Sequence, residues 1–436
     1  MSELWQILPA NAQDAAILVG MLVPTLVLGV VIRRGFAPGP VIRAMIRRYA
    51  WTNGLFALLV ALAVATGVGL LAQERALRTA TAHSAEKFDL IISAPGSEIS
   101  MMLATVFLQP SNVPLLSGEI YDAVANSPRV ILASPLAYGD SYAGAPVVGT
   151  TAEFAHHLAD GGIEGTMFAA IDEAVIGAKV PLEIGDTFEP AHGHGDAAIE
   201  GVHGVILTVT GRMAPTGTPW DRAILVAAEQ VWDAHALPTG HPPGSDALGP
   251  PFDPEFFPGT PAIVVHSTSL AGLYTLQSQF TREAESMAFF PGAVLSQLYG
   301  IMGDVRQAMS LLSIVSQSLV ALSILAGLLI LTRLFNRQLA LLRALGAPAR
   351  FIFAVVWSQA ALLLSVGAVS GLLLGYGASA ILSEIVSART NMLVSARLGW
   401  PELHATAAFI ALASILALIP AVAVLRQPTI TALRAQ

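Results

Sequence analysis

The sequence predicts an α-helical membrane protein of five spans carrying an inserted periplasmic α+β domain, and three observations lead there. The chain of 436 residues is 54% hydrophobic and only 12% charged, with a mean hydropathy of +0.65, whereas soluble proteins carry about 25% charged residues. Its apolar residues gather in blocks at 14–32, 50–72, 308–332, 351–383 and 404–425, each close to or above the ~20 residues that cross ~30 Å of hydrocarbon. The charges are partitioned. Segments 33–49, 333–350 and 426–436 hold Arg33, Arg34, Arg43, Arg47, Arg48, Arg333, Arg337, Arg343, Arg350, Arg426 and Arg434 and no acid, while 73–306 holds 9 basic residues against 26 acidic ones.

Short loops rich in Lys and Arg stay on the cytoplasmic side of a membrane. The partition therefore predicts a multi-pass protein of the bacterial inner membrane. Its N-terminus is periplasmic, 33–49 lies inside, 73–306 outside, 333–350 inside, 384–403 outside, and the C-terminus is cytoplasmic. Block 14–32 has no basic segment before it, so it reads as a retained anchor rather than a cleaved signal. Block 351–383 exceeds one perpendicular span and is expected to tilt or to project from the bilayer. The chain has no cysteine, which fits a periplasm without disulfides, and its net charge of −8 argues against nucleic acid as a partner.

Three regions follow: an N-terminal membrane region 1–72, a periplasmic domain 73–306 and a C-terminal membrane domain 307–436. Within 73–306, the β-branched runs 88–94, 129–134, 204–211, 222–227 and 261–267 are expected as strands. Residues 98–108, 114–126, 228–236 and 268–288 are expected as helices, and the Gly/Pro-crowded 238–261 as an ordered surface loop or subdomain boundary. The flanks 70–87 and 293–307 have helical composition and no Pro, so they are expected to extend the membrane helices as a stalk.

Segment 333–350 reads RLFNRQLALLRALGAPAR. Residues 337–346 form a helix that Gly346 and Pro348 stop. On this reading Leu341, Leu342 and Leu345 enter a groove of a partner ATPase, with Arg337 and Arg343 at the rim; the alternative is a plain connector with snorkelling arginines. Gly367, Gly371 and Gly375 stand four apart, a spacing that lets helices approach closely, either at a permease dimer seam or against the chain's own spans 3 or 5. In AHGHGDAAIEGVHG (191–204), His192, His194, Asp196 and His203 lie close in sequence, and imidazole with carboxylate suits zinc; the alternative is a Gly-rich polar hairpin. PTGTPWDR (215–222) reads as a turn fixed by Pro215, Gly217 and Pro219 that leads into a strand; within it Trp220 is a candidate contact surface, and Asp221 with Arg222 a candidate exposed pair. No H-E-x-x-H and no G-x-x-x-x-G-K-[ST] occurs, so an ATPase has to be a separate chain.

The stretch LALLRALGAPARFIFAVVWSQAALLLSVGAVSGLLLG (339–375) resembles the signature of FtsX/MacB-type ABC permeases, and RQPTITALRAQ (426–436) is similar to that family's ending. FDLIISAPGS (88–97), SPLAYGDSYAGAPVVGT (134–150) and GRMAPTGTPWDR (211–222) resemble a MacB-like subgroup. The resemblance implies a non-catalytic permease subunit. It also implies a permease homodimer with cytoplasmic ABC ATPases that bind ATP and Mg, mechanotransmission to the periplasm, and a periplasmic or lipid-anchored protein as a further partner. Gln338 and Gln359 depart from the acids common at these places, and span 14–32 is additional. The reading of a different class is a membrane-anchored periplasmic metal- or ligand-binding protein without transport. A third, a membrane hydrolase, has no Ser-His-Asp or metalloprotease pattern behind it.

Overall fold

The computed structural model describes residues 8–109, 114–160, 162–193, 204–300, 322–330, 335–390 and 393–426. They form two compact units. One comprises Met1–Leu77, Arg306–Glu384 and Ser395–Gln436; the other comprises Arg78–Val305 and Ile385–Val394.

In the first unit, four helices among the described residues are long and apolar enough to cross a membrane: Ala10–Arg33, Ala50–Ala85, Ala349–Ala388 and Trp400–Leu425. The span expected at 308–332 lies outside the described residues except for 322–330, which is helical. Helix Ala349–Thr390 has 42 residues and helix Ala50–Ala85 has 36. At 1.5 Å per residue each is ~50–60 Å long and exceeds the hydrocarbon thickness. Helix continues to Ala85, past the apolar block that ends at residue 72, as the expected stalk flank requires. The two long helices are also joined by polar side chains. The Gln359 amide donates to Asn53 Oδ1 at 3.4 Å, and the hydroxyls of Ser379 and Ser383 donate to Gln73 Oε1 at 3.4 and 3.2 Å. Each such bond contributes on the order of 0.6 kcal/mol between membrane helices.

The second unit is a mixed sheet between two helical layers. Its strand order is β11 (Met287–Phe289), β1 (Leu90–Ser93), β10 (Ala262–Ser267), β2 (Val130–Tyr142), β3 (Ala145–Thr150), β9 (Ile224–Ala227), β5 (Glu173–Ile176), β8 (Leu207–Met213) and β4 (Ile163–Gly165). β3–β9 and β5–β8 are parallel pairs; β1–β10, β10–β2 and β2–β3 are antiparallel. Side chains alternate between two buried faces. Leu90, Ile92, Ile224 and Val226 pack in one core with Tyr121, Trp232 and Phe280, whereas Ile91, Leu225 and Val264 pack in the other with Met102, Phe154 and Trp220. Burial on both faces explains why these strands read as continuous apolar runs rather than alternating ones.

The expected strands and helices occur, most with boundaries shifted by a few residues, while β2 runs on to Tyr142 and helix Ala152–Leu158 and β4 were not expected; three differences are of physical interest. Residues 287–289, expected to continue a helix, form β11 because Ile91↔Phe289 pairing outcompetes helical propensity once the polar run after Arg282 ends the helix. β3 and β5 are four- to six-residue runs between turns that carried too little period to be recognised. Residues 385–394 join the sheet unit, with the Leu393 N–H donating to Gly217 O at 2.9 Å. PTGTPWDR is a turn that leads into β9, as expected, but the exposure expected of its side chains needs correction. Trp220 is fully buried rather than a contact surface, and Asp221 is 1% exposed. Asp221 accepts from the Thr216 N–H and hydroxyl, both at 2.7 Å, and from the Gly217 N–H at 3.0 Å. The carboxylate ties the turn and is no surface ion pair.

Segment 238–261 is ordered and lies over helix Ala228–Ala234. Phe257 stacks on Tyr121 at 4.8 Å between centroids and meets Trp232 edge-on at 5.0 Å. Beneath it, buried Glu229 accepts from the Gly249 N–H and lies 3.3 Å from His241 Nε2. Burial raises the Glu229 carboxyl above its ordinary 4.5, offset in part by its backbone hydrogen bonds and by His241. The folded state thus holds this proton more tightly than the unfolded chain does. The contribution is full below pH 4.5 and is lost as pH rises through the raised value. Glu229→Gln keeps an acceptor for both donors and removes the charge. It is expected to stabilise the sheet unit at neutral pH, with the advantage vanishing in acid. Thermal unfolding followed by near-UV circular dichroism at the two pH values checks this.

Candidate functional site

The described parts of the first two arginine-rich segments and the helix end before the third meet at one end of the membrane unit. After Arg33, residues Gly39–Arg48 form an amphipathic helix that buries Ile42 and Met45, an element that the charge pattern alone does not indicate. It ends at Tyr49, whose ring meets Phe335 edge-on at 5.0 Å and whose hydroxyl accepts from the Gln338 amide at 2.7 Å. Phe335 in turn precedes helix Asn336–Ala344. Val424 and Leu425, just before the third basic segment, belong to the same apolar cluster as Phe335 and Leu339. The other end of this unit gathers different groups. Trp400 Nε1 donates to Asn11 Oδ1 at 3.1 Å, His404 Nε2 lies 2.9 Å from Asp14 O, and Arg75 pairs with buried Glu402 at 3.2 Å.

Helix Asn336–Ala344 matches the expected 337–346 to within two residues. Leu339 and Ala340 are buried at 1% and 4%, whereas Leu341 is 49% and Leu345 85% exposed. Leu341 and Leu345 stand four apart and so share a face. Leu342, expected to enter the partner with them, is half-buried against the chain's own cluster instead. Arg343 is also half-buried, and Arg337 lies in the first turn with its side chain outside the described residues. The helix stops as expected. Gly346 has φ +95°, its N–H donates to Arg343 O, and the Ala347 N–H donates to Leu342 O, both at 3.0 Å. That pair of bonds is a Schellman closure, which favours glycine at the left-handed position.

Gly367, Gly371 and Gly375 pack within the chain, the second of the two arrangements their spacing allowed. They face helix Ala50–Ala85 of the same chain: a Cβ at Gly367 would meet Val60, at Gly371 Ala61 O and Val64, and at Gly375 Ala65 O and Val68. The partner is span 2, neither of the two spans expected, because helices adjacent in space need not be adjacent in sequence.

Of the four metal candidates, His194, Asp196 and His203 lie outside the described residues. His192 belongs to β7 (Ala191–His192), which pairs antiparallel with β2 so that Asp140 stands opposite His192. The structure brings Asp140 and His235 to His192. They lie 52 and 43 residues away in sequence, so no local spacing signals them.

The fold defines a multi-span membrane protein with an inserted three-layer sheet domain. Residues 310–431 match the family model described as FtsX-like permease C-terminal. No curated protein matches the sequence. Among solved structures, the chain is similar to the extracellular domain of the noncanonic ABC-type transporter YknZ from Gram-positive bacteria. The identity is 11% over 46% of this chain and 98% of that one, with a TM-score of 0.27.

Proposed function

We propose that this chain is the membrane subunit of an ABC transporter of FtsX/MacB type. An ATPase on a separate chain docks on helix Asn336–Ala344 and relays ATP hydrolysis to the sheet domain in the periplasm. FtsX-like permeases are non-catalytic transporter subunits that work with a cytoplasmic ATPase. The observation that carries the reading is the exposed pair Leu341 and Leu345, on a helix with a rigid glycine stop, at the end where the arginine segments gather. A leucine 85% exposed at the membrane surface, next to buried Leu339 and Ala340, has the form of a helix-in-groove anchor. ATP and Mg belong to the partner on this reading. A homodimer and a lipid-anchored or periplasmic protein complete the proposed assembly; its seam has to lie elsewhere than the glycine ladder.

The side of the membrane is tested with single cysteines, for which the chain offers no background. Ser97 and Ala344 are both exposed. In intact spheroplasts, Ser97→Cys is expected to react with an impermeant maleimide and Ala344→Cys only after lysis. Reaction of Ala344→Cys in intact spheroplasts would reverse the orientation and remove the ATPase from this helix. The complex itself is tested by purification from membranes, with an ABC ATPase expected in near-stoichiometric yield.

A further inference from the structure

We infer that Asp140, His192 and His235 form a zinc site on the sheet domain. Each donor is presented by a different device of the fold. β2 bulges between Tyr138 and Asp140, a feature that re-aims the following side chain, and the bulge turns a fully buried Asp140 carboxylate toward β7. His192 stands opposite it in antiparallel register. The chain then leaves through Gly193, at φ +105°, whose N–H donates to Gly139 O at 3.0 Å. His235 closes helix Ala228–Ala234. Its approach depends on Gly139, where a Cβ would sit 3.1 Å from the imidazole Cε1 and Nε2.

The tautomer of His235 is set by the helix. Its Nδ1 lies 2.7 Å from Val231 O and donates to that carbonyl, which leaves the Nε2 lone pair directed at Asp140. Zinc-ligating histidines are held in this way, with the second ring nitrogen bonded to a backbone carbonyl or carboxylate. His192 Nδ1 is 3.4 Å and His235 Nε2 is 3.7 Å from the same Asp140 Oδ1, and all three donor atoms lie within 4.8 Å of one another. Tetrahedral ligands about 2.05 Å from zinc are ~3.3 Å apart. A charge-assisted hydrogen bond would draw the same atoms to ~2.7–2.9 Å. The two distances to Asp140 Oδ1 are longer than a charge-assisted hydrogen bond and close to the separation of two ligands on one ion. Two imidazoles and one carboxylate suit zinc rather than calcium or magnesium, which take all-oxygen shells. The imidazoles of His192 and His235 are 45% and 27% exposed, which provides a path for entry.

The test uses the full chain in detergent, stripped with a chelator and titrated with zinc against a chromophoric competitor. Wild type is expected to take up one equivalent at this site. His235→Ala, Asp140→Asn and His192→Ala are each expected to weaken it roughly 100-fold or more, and Gly139→Ala, which crowds His235 without removing a donor, at least tenfold. His156→Ala, an exposed histidine elsewhere on the domain, is expected to change nothing. Cobalt in place of zinc should show the visible absorption of a tetrahedral ion, lost in His192→Ala. That residue is partly exposed, so its removal leaves the fold intact. Circular dichroism identifies any variant that misfolds, and His192→Ala then decides. No zinc uptake by wild type, or wild-type affinity in a folded His192→Ala or His235→Ala, would overturn the site.

Discussion

Leu341→Asp is expected to abolish recovery of the ATPase while leaving the permease inserted and folded. The substitution places a carboxylate at a position that is half exposed in the chain alone and buried in the proposed complex. An unpaired buried charge costs about 3–5 kcal/mol, equivalent to a ~150- to 5,000-fold loss of affinity. Neighbouring Leu339 and Ala340 face inward and hold the helix, so the helix itself should persist. Leu345→Asp should act in the same direction, since Leu345 shares the face and is the more exposed of the two. Arg343→Ala is expected to be milder, because a rim charge mainly affects the association rate. The measurement is a pull-down of the ATPase by wild type and each variant, with ATP hydrolysis of the recovered complex. Undiminished recovery with Leu341→Asp would make 333–350 a plain connector.

The second large effect is expected from Gly371→Leu. A Cβ there would lie 2.6 Å from Ala61 O and 2.7 Å from Val64 Cβ. The first obstacle is backbone, which cannot rotate away, so the two helices must separate. Separation weakens the Gln359–Asn53 contact and the Ser379 and Ser383 bonds to Gln73 as well. Overpacking of this kind costs about 1–3 kcal/mol, and more where the backbone has to move. The expected outcome is loss of the monodisperse protein in detergent and a lowered unfolding midpoint. Gly377→Ala is the control on the same helix, because a Cβ at Gly377 meets nothing within 4 Å. If Gly371→Leu and Gly377→Ala are equally stable, the ladder is not what holds these helices together.

The class of the protein was legible without coordinates because its signals are local or compositional. Twenty apolar residues in a row have few alternatives to crossing a bilayer. A glycine after LALLRAL stops a helix through bonds between residues at most five apart, and the Gly346 closure follows from that. The strands buried on both faces announced themselves by apolar runs, as ILVA at β9 and AIVV within β10 illustrate.

Whatever depended on distant partners was decided only by the tertiary structure. The sequence marked Gly367, Gly371 and Gly375 as a close-packing seam, but small residues specify proximity and not the partner; only packing selected Val60, Val64 and Val68. Trp220 and Asp221 are polar or aromatic residues in a proline-rich turn, which by composition resembles a surface. Their burial follows from where the turn lands on the sheet. His192 was singled out by its neighbours in sequence, yet its partners among the described residues are a bulged strand residue and a helix-capping histidine. Sequence spacing can specify ligands that share a loop or a helix turn. Donors brought together by strand register, a glycine gap and a helix end become a site only when the whole sheet has formed.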